Sequence, residues 1–223
     1  MTKSAKNGEL HDIIVDNTVG SLATYNPTLS RRQTAIVVGS LLGDGCLEKR
    51  ERGVRLRLDH GSKQKSYLLW KHTELQNISG RVLEVDYYHK GHNKSYKNYR
   101  FSTFSNELLT NYWRTFYANG KKVIPRNITV LLREPLALAI WFMDDGYKRN
   151  DFNALRLNTD SFSFDENVLL QKALQTNLGI VATIHKKGRY WNLYIPEKYA
   201  KTFVSLVKPF IHKTLDYKIA LTL

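Results

Sequence analysis

Two aspartates, Asp44 and Asp145, stand where a carboxylate is poorly placed. Each closes an apolar run, Ala35 to Leu42 in one case and Leu136 to Met143 in the other, and each is followed at once by a glycine. Such runs read as buried helices ending at Gly45 and Gly146. The helix dipole puts partial negative charge at a C-terminus, so an acidic side chain there is disfavoured by a few tenths to ~1 kcal/mol. If the two apolar helices pack together, their aspartates also repel each other. A cation between them answers both problems. Mg²⁺ fits, because it is commonly held by one or two carboxylates with water and substrate phosphate completing its shell. Metal-assisted phosphodiester hydrolysis needs what such a site supplies, an activated water and a neutralised leaving oxygen. Either aspartate alone also fits an ordinary Asp-Gly helix-ending turn; the duplication is what favours chemistry.

The elements around the aspartates repeat. Leu41-Leu42-Gly43-Asp44-Gly45 answers to Phe142-Met143-Asp144-Asp145-Gly146 at a separation of 101 residues (145 − 44), and Leu56-Arg57-Leu58-Asp59 answers to Leu155-Arg156-Leu157-Asn158 at 99 (155 − 56). Two matches in the same order at nearly one offset mark an internal duplication. Ser30 with Gln33, and Ser163 with Glu166, are capping boxes that open helices. Pro135 suits the first turn of another. Val54, Leu56 and Leu58 alternate with charged residues in the period of a half-buried strand. Each half is expected to run helix, two strands, helix, two strands, helix. The fold class is α+β, with two pseudo-symmetric halves, two four-stranded antiparallel sheets and the aspartate-bearing helices packed at the interface. The expected division is an N-terminal arm at 1–28, a first repeat at 29–127 and a second at 128–223. Gly39 and Gly43, four apart, offer the first helix for close approach. The second helix has Ile140 and Asp144 at the matching positions, so the symmetry is imperfect there.

Composition narrows the partners. The 223-residue chain has 34 Lys and Arg against 20 Asp and Glu, a net charge of +14, interleaved with 13 tyrosines and 4 tryptophans. Basic charge spread through the folded pattern attracts polyanions. No apolar run reaches the roughly 20 residues of a bilayer span, so no membrane partner is expected. A single cysteine, Cys46, excludes disulfides and zinc ribbons and suits a reducing interior. The first residues, with Glu9, Asp12 and Asp16, lack the pattern of a signal or transit peptide. The expected location is intracellular, in an organelle or in a bacterial or archaeal cytoplasm.

Val37-Val38-Gly39-Ser40-Leu41-Leu42-Gly43-Asp44-Gly45 and Leu138-Ala139-Ile140-Trp141-Phe142-Met143-Asp144-Asp145-Gly146 resemble two copies of the LAGLIDADG nonamer. The likeness covers about residues 30–221 and is to the single-chain, two-motif subgroup of the LAGLIDADG homing endonucleases. It implies a monomer that uses Mg²⁺ to cut both strands of a long double-stranded DNA site, for intron or intein homing, with the two sheets forming a DNA-binding saddle. It implies Asp44 and Asp145 as metal ligands and catalytic acids, with the preceding Gly43 and Asp144 in the metal set. It also implies Lys122 and Lys218 as active-site lysines, able to stabilise phosphate charge or order the attacking water. Asp59 and Asn158 match a polar pair near the metals.

A twisted antiparallel ribbon fits the major groove, where base pairs are distinguishable. The basic and polar candidates for contacting DNA are Arg55, Arg57, Lys90, Lys94, Lys97, Arg100, Arg156, Lys186, Lys187, Arg189, Tyr190 and Asn192. Alternation along strands means that not all of the 186–192 group can share one face. Two rival functions stay open at this point, an RNA maturase acting on intron RNA and a DNA-binding protein that does not cut.

Overall fold

The computed structural model describes residues 28–221 except 90 and 92; nearly all of the 1–28 arm and the lysine at position 90 lie outside the described residues. The first aspartate-bearing helix, α1, is Arg31–Leu42, and its capping box is present, Ser30 accepting from the Gln33 amide while Gln33 accepts from Ser30. It leads into β1 (Cys46–Arg50) and β2 (Gly53–Gly61). Helix α2 (Lys65–Glu74) follows, then β3 (Leu83–His89), β4 (Lys94–Ser102) and α3 (Glu107–Phe116). The first sheet has the order β1-β2-β4-β3, antiparallel throughout.

A two-residue ribbon comes next, β5 (Tyr117–Ala118) against β6 (Lys121–Lys122). Asn119 and Gly120 turn it with φ of 50° and 75°. Positive φ at both central residues is what a tight hairpin of this hand demands, and Asn-Gly supplies it at little steric cost. After the short α4 (Ile128–Leu131), the pattern restarts with α5 (Pro135–Asp145). Strands β7 (Gly146–Lys148) and β8 (Leu155–Asn158), helix α6 (Phe164–Leu178), strands β9 (Thr183–Lys187) and β10 (Tyr190–Ile195), and helix α7 (Glu197–Val207) complete the second set. The second sheet, β7-β8-β10-β9, repeats the order of the first. A 3₁₀ helix, Lys213–Lys218, follows near the end of the described residues.

Helices α1 and α5 form the spine. Every residue from Ala35 to Leu42 and from Leu136 to Asp144 is buried. Each large aliphatic or aromatic side chain so buried contributes about 1.5–3 kcal/mol. The two helices approach so closely that a Cβ on Gly39 would lie 2.4 Å from the Ala137 carbonyl oxygen and 2.7 Å from Ile140 Cβ, and one on Gly43 would lie 2.5 Å from Asp144 Cβ. Ile140 and Asp144, which break the symmetry in the sequence, therefore fill the notches that the two glycines leave.

Candidate active site

Both aspartates sit where these paired helices end. Asp44 follows the α1 cap, and Asp145 is the last residue of α5. Partial burial lifts the Asp44 carboxyl above the ordinary aspartate range, and the Asp144 charge adds to the lift. Burial, reinforced by Asp44 and then Asp144, raises Asp145 to about 7. Asp145 thus feels the Asp44 charge, as a carboxylate near another must.

Two lysines brace the helix ends from opposite sides. Lys122, presented by the β5–β6 ribbon, donates to the Gly43 and Gly45 carbonyls at 2.9 and 2.7 Å. Lys218, at the end of the 3₁₀ helix, donates to the Met143 carbonyl at 2.6 Å and reaches the Asp144 carbonyl at 3.5 Å. The pair is pseudo-symmetric, each cation meeting the negative end of a motif helix. Burial pushes both amines below the usual lysine range.

Asp144 is different from its neighbour. Its side chain is fully buried and bound within the protein: Lys71 Nζ donates to its two oxygens at 2.7 and 2.9 Å, and the Tyr67 hydroxyl donates at 2.9 Å. That carboxylate is committed to the interior, so of the metal set the resemblance implies, Asp144 and Gly43 have only backbone carbonyls to offer. Lys71, Tyr67 and the adjacent His60 are absent from the catalytic, metal and DNA-binding candidates that the sequence offers. A signal for Lys71 exists: it lies four residues from Tyr67 and four from Leu75, on the buried stripe of its helix.

Register sorts the remaining candidates by face. Arg55 and Arg57 lie on the side of β2 away from the buried Val54, Leu56 and Leu58, and both pair with Glu48. Asp59 stands opposite Arg100 and accepts from its Nε at 2.6 Å. Lys94 shares the Arg100 face by parity. Lys97 does not: it projects from the other side and pairs with Glu84, because odd and even positions of one strand point apart. In the second sheet, Asn158 faces Asn192 and Arg156 faces Tyr194, while Tyr190 and Lys187 are opposite each other on the same side. Asn192 is buried, yet neither polar atom of its amide has a protein partner. Lys186 lies on the reverse side, over the Trp191 ring. Arg189 occupies the turn beside Tyr190. Two open grooves of about 820 and 630 Å³ share Tyr217, the first lined by Gly61, Tyr96 and Asn98 and the second by Tyr147, Arg156 and Lys218.

The raised Asp145 gives a pH signature. Its unfolded carboxyl titrates near 3.9, and the folded one near 7. The native state therefore holds the extra proton between these values, and stability contributed below pH 4 is lost as pH rises through 7. In thermal melts of metal-free protein, wild type is expected to lose stability relative to Asp145→Asn between pH 5 and pH 8. Parallel curves for the two proteins would contradict the shift.

Two carboxylates at the ends of paired helices, each helix end held by a lysine and flanked by a basic antiparallel sheet, are groups that metal-assisted phosphodiester hydrolysis can use. The model of the LAGLIDADG DNA endonuclease family matches residues 34–203, and the chain belongs to that family. It is 32% identical over 202 residues to the cytochrome b mRNA maturase bI2 of Debaryomyces hansenii, covering 87% of this chain and 76% of that one. It is 32% identical over 211 residues to the DNA endonuclease I-ChuI of Chlamydomonas applanata, covering 86% and 96%. Its fold is similar to that of the homing endonuclease I-WcaI bound to its DNA recognition sequence, with a TM-score of 0.80 and 24% identity over 88% of this chain and 89% of that one.

Proposed function

We propose that this chain is a site-specific, Mg²⁺-dependent endonuclease that breaks both strands of a long DNA site in the service of intron or intein homing. The observation that carries the reading is the pair Asp44 and Asp145 at adjoining helix ends, each with its own lysine. The donors are hard oxygens, two carboxylates and the Gly43 and Asp144 carbonyls, which suit Mg²⁺. Both carboxyls are raised, Asp44 by burial and the Asp144 charge and Asp145 by burial and the charges of Asp44 and Asp144, a repulsion that a bound cation would relieve. When bound, Mg²⁺ supplies an activated water and neutralises the leaving oxygen. Asp44 and Asp145 hold the ions. Lys122 and Lys218 offset phosphate charge and orient water near the scissile bonds.

The open sheet faces carry recognition. Arg55, Arg57, Arg100, Arg156, Lys187, Tyr190 and Asn192 share the outward sides of the two sheets, and Lys94 and Arg189 stand near their ends. Lys97 and Lys186, on the reverse sides, are left to contact phosphates or solvent. Asp59 and Asn158 are the polar pair that would stand nearest the bound ions. Repeats at 29–127 and 128–223 complete one site within one chain, so a monomer suffices. Among the described residues no helix is long and apolar enough to cross a membrane. We infer action wherever the host gene resides, an organelle or a prokaryotic cytoplasm.

The test is incubation of the protein and Mg²⁺ with a supercoiled plasmid carrying the intron-free junction of the host gene. Linear product is expected, none with chelator, and binding should weaken steeply as salt rises because bound counterions are released. A retarded but uncut plasmid overturns the nuclease in favour of a binder. The likeness to a maturase supports a second reading, action on intron RNA; an intact plasmid together with accelerated splicing of the host intron would establish it instead.

A further inference from the structure

Beneath the two catalytic aspartates lies a buried cluster assembled from both halves. Asp144 comes from α5, Lys71 and Tyr67 from α2, and His60 from β2. Lys71 and Asp144 have fully buried side chains, and that of His60 is 2% exposed. His60 Nδ1 lies 3.7 Å from Asp44 Oδ2, and its Nε2 lies 3.9 Å from Asp144 Oδ1. One ligand atom each from Asp44, His60 and Asp144 falls within 4.8 Å of the others. That spacing would admit a small divalent ion. The Lys71 ammonium already stands there, 2.7 and 2.9 Å from the Asp144 oxygens and 3.5 Å from His60 Nε2. An ammonium and a metal, whose ligands sit near 2.0–2.2 Å, cannot share the position.

We propose that Lys71 is a positioning residue that takes the place of a cation in this cluster, holding the Asp144 carboxylate in the interior so that divalent ions are left to Asp44 and Asp145. The proposal deepens the nuclease reading and rests on it for the role of the two aspartates. Without Lys71, the Asp44–His60–Asp144 set mixes nitrogen and oxygen donors, which favours Zn²⁺, Co²⁺ or Mn²⁺ over Mg²⁺. An ion held there would draw Asp44 inward, away from the DNA. The first half needs no such device, because the residue matching Asp144 is Gly43, which has no side chain to restrain.

The test is Co²⁺ titration, followed by visible absorption and calorimetry, of wild type, Lys71→Met and Lys71→Met/His60→Ala. Lys71→Met removes the charge at nearly constant length. Wild type is expected to show no His60-dependent Co²⁺ site. Lys71→Met should gain one and lose it again with His60→Ala. In Mg²⁺, Lys71→Met should lower kcat by about 10–100-fold, the usual size of an effect from a group supporting metal ligands, with DNA affinity kept. Adding Asp144→Asn should remove the Co²⁺ site and recover much of the cutting, which a merely stabilising Lys71 would not produce. Lys71→Ala, which leaves no donor to Asp144 and admits water beside it, serves with the same expected outcomes if Lys71→Met does not fold. The proposal is overturned if a folded variant cuts at the wild-type kcat or gains no Co²⁺ site, or if wild type itself binds Co²⁺ through His60. The titration reads the cluster without any cutting assay, so its failure is distinguishable from failure of the nuclease reading.

Discussion

Asp44→Asn and Asp145→Asn are each expected to lower the cutting rate by more than ~10³-fold, equivalent to about 4 kcal/mol of barrier, while DNA is still bound. Asparagine keeps the size and the carbonyl oxygen of aspartate but not the charge that holds a divalent ion. Affinity for DNA in metal-free buffer should be unchanged or tighter, since a negative charge facing phosphates has been removed. The same substitutions should raise the melting temperature of the metal-free protein. Each relieves repulsion from the other carboxylates and from the negative end of its own helix. Lost activity joined to gained stability is the mark of a site strained for function. Single-turnover cutting, gel-shift titration and thermal melts with chelator measure the three quantities. A variant that cuts within tenfold of wild type would remove its aspartate from the chemistry.

The second large effect is expected at Gly39. An added Cβ meets the Ala137 carbonyl oxygen at 2.4 Å and Ile140 Cβ at 2.7 Å. Backbone cannot yield as a flexible side chain does, so Gly39→Ala must push α1 and α5 apart. Overpacking of this kind costs about 1–3 kcal/mol, a drop of roughly 2–12 °C in Tm for a chain of this size. The separation also carries Asp44 away from Asp145. Misplacement by about 1 Å can cost ~10²-fold in rate, so cutting should fall further than stability alone requires. Ile140→Ala added to Gly39→Ala should restore only part of both losses, because the Ala137 carbonyl remains. An unchanged melting curve and rate would mean that the helices slide without penalty and that their close packing does not set the carboxylates.

The sequence shows the carboxylates and the helices that bear them because both signals are local. A capping box, an apolar run and an Asp-Gly pair lie within fifteen residues of each other, and the duplication confirms the reading. Strand existence was legible from the alternation of Val54, Leu56 and Leu58. The three residues of β7 are too few to display a period. Facing was legible only where parity was applied: Lys97 is three positions from Arg100, an odd number, and so projects from the opposite side. Packing between halves was not legible. Ile140 and Asp144 look like departures from small-residue packing when α5 is read alone, and become complements only beside Gly39 and Gly43. Lys71 was missed because a lysine in a short amphipathic helix ordinarily faces water, and its partner, Asp144, is distant in sequence.

The fit of Ile140 and Asp144 into Gly39 and Gly43 also makes the junction directional. Two copies of the first half would set glycine against glycine and lose the side chains that now fill the seam. Two copies of the second would drive one isoleucine into another and bury a carboxylate against its twin. The two faces of the seam are complements rather than copies, so pairing like halves between molecules would forfeit the fit in shape and in charge.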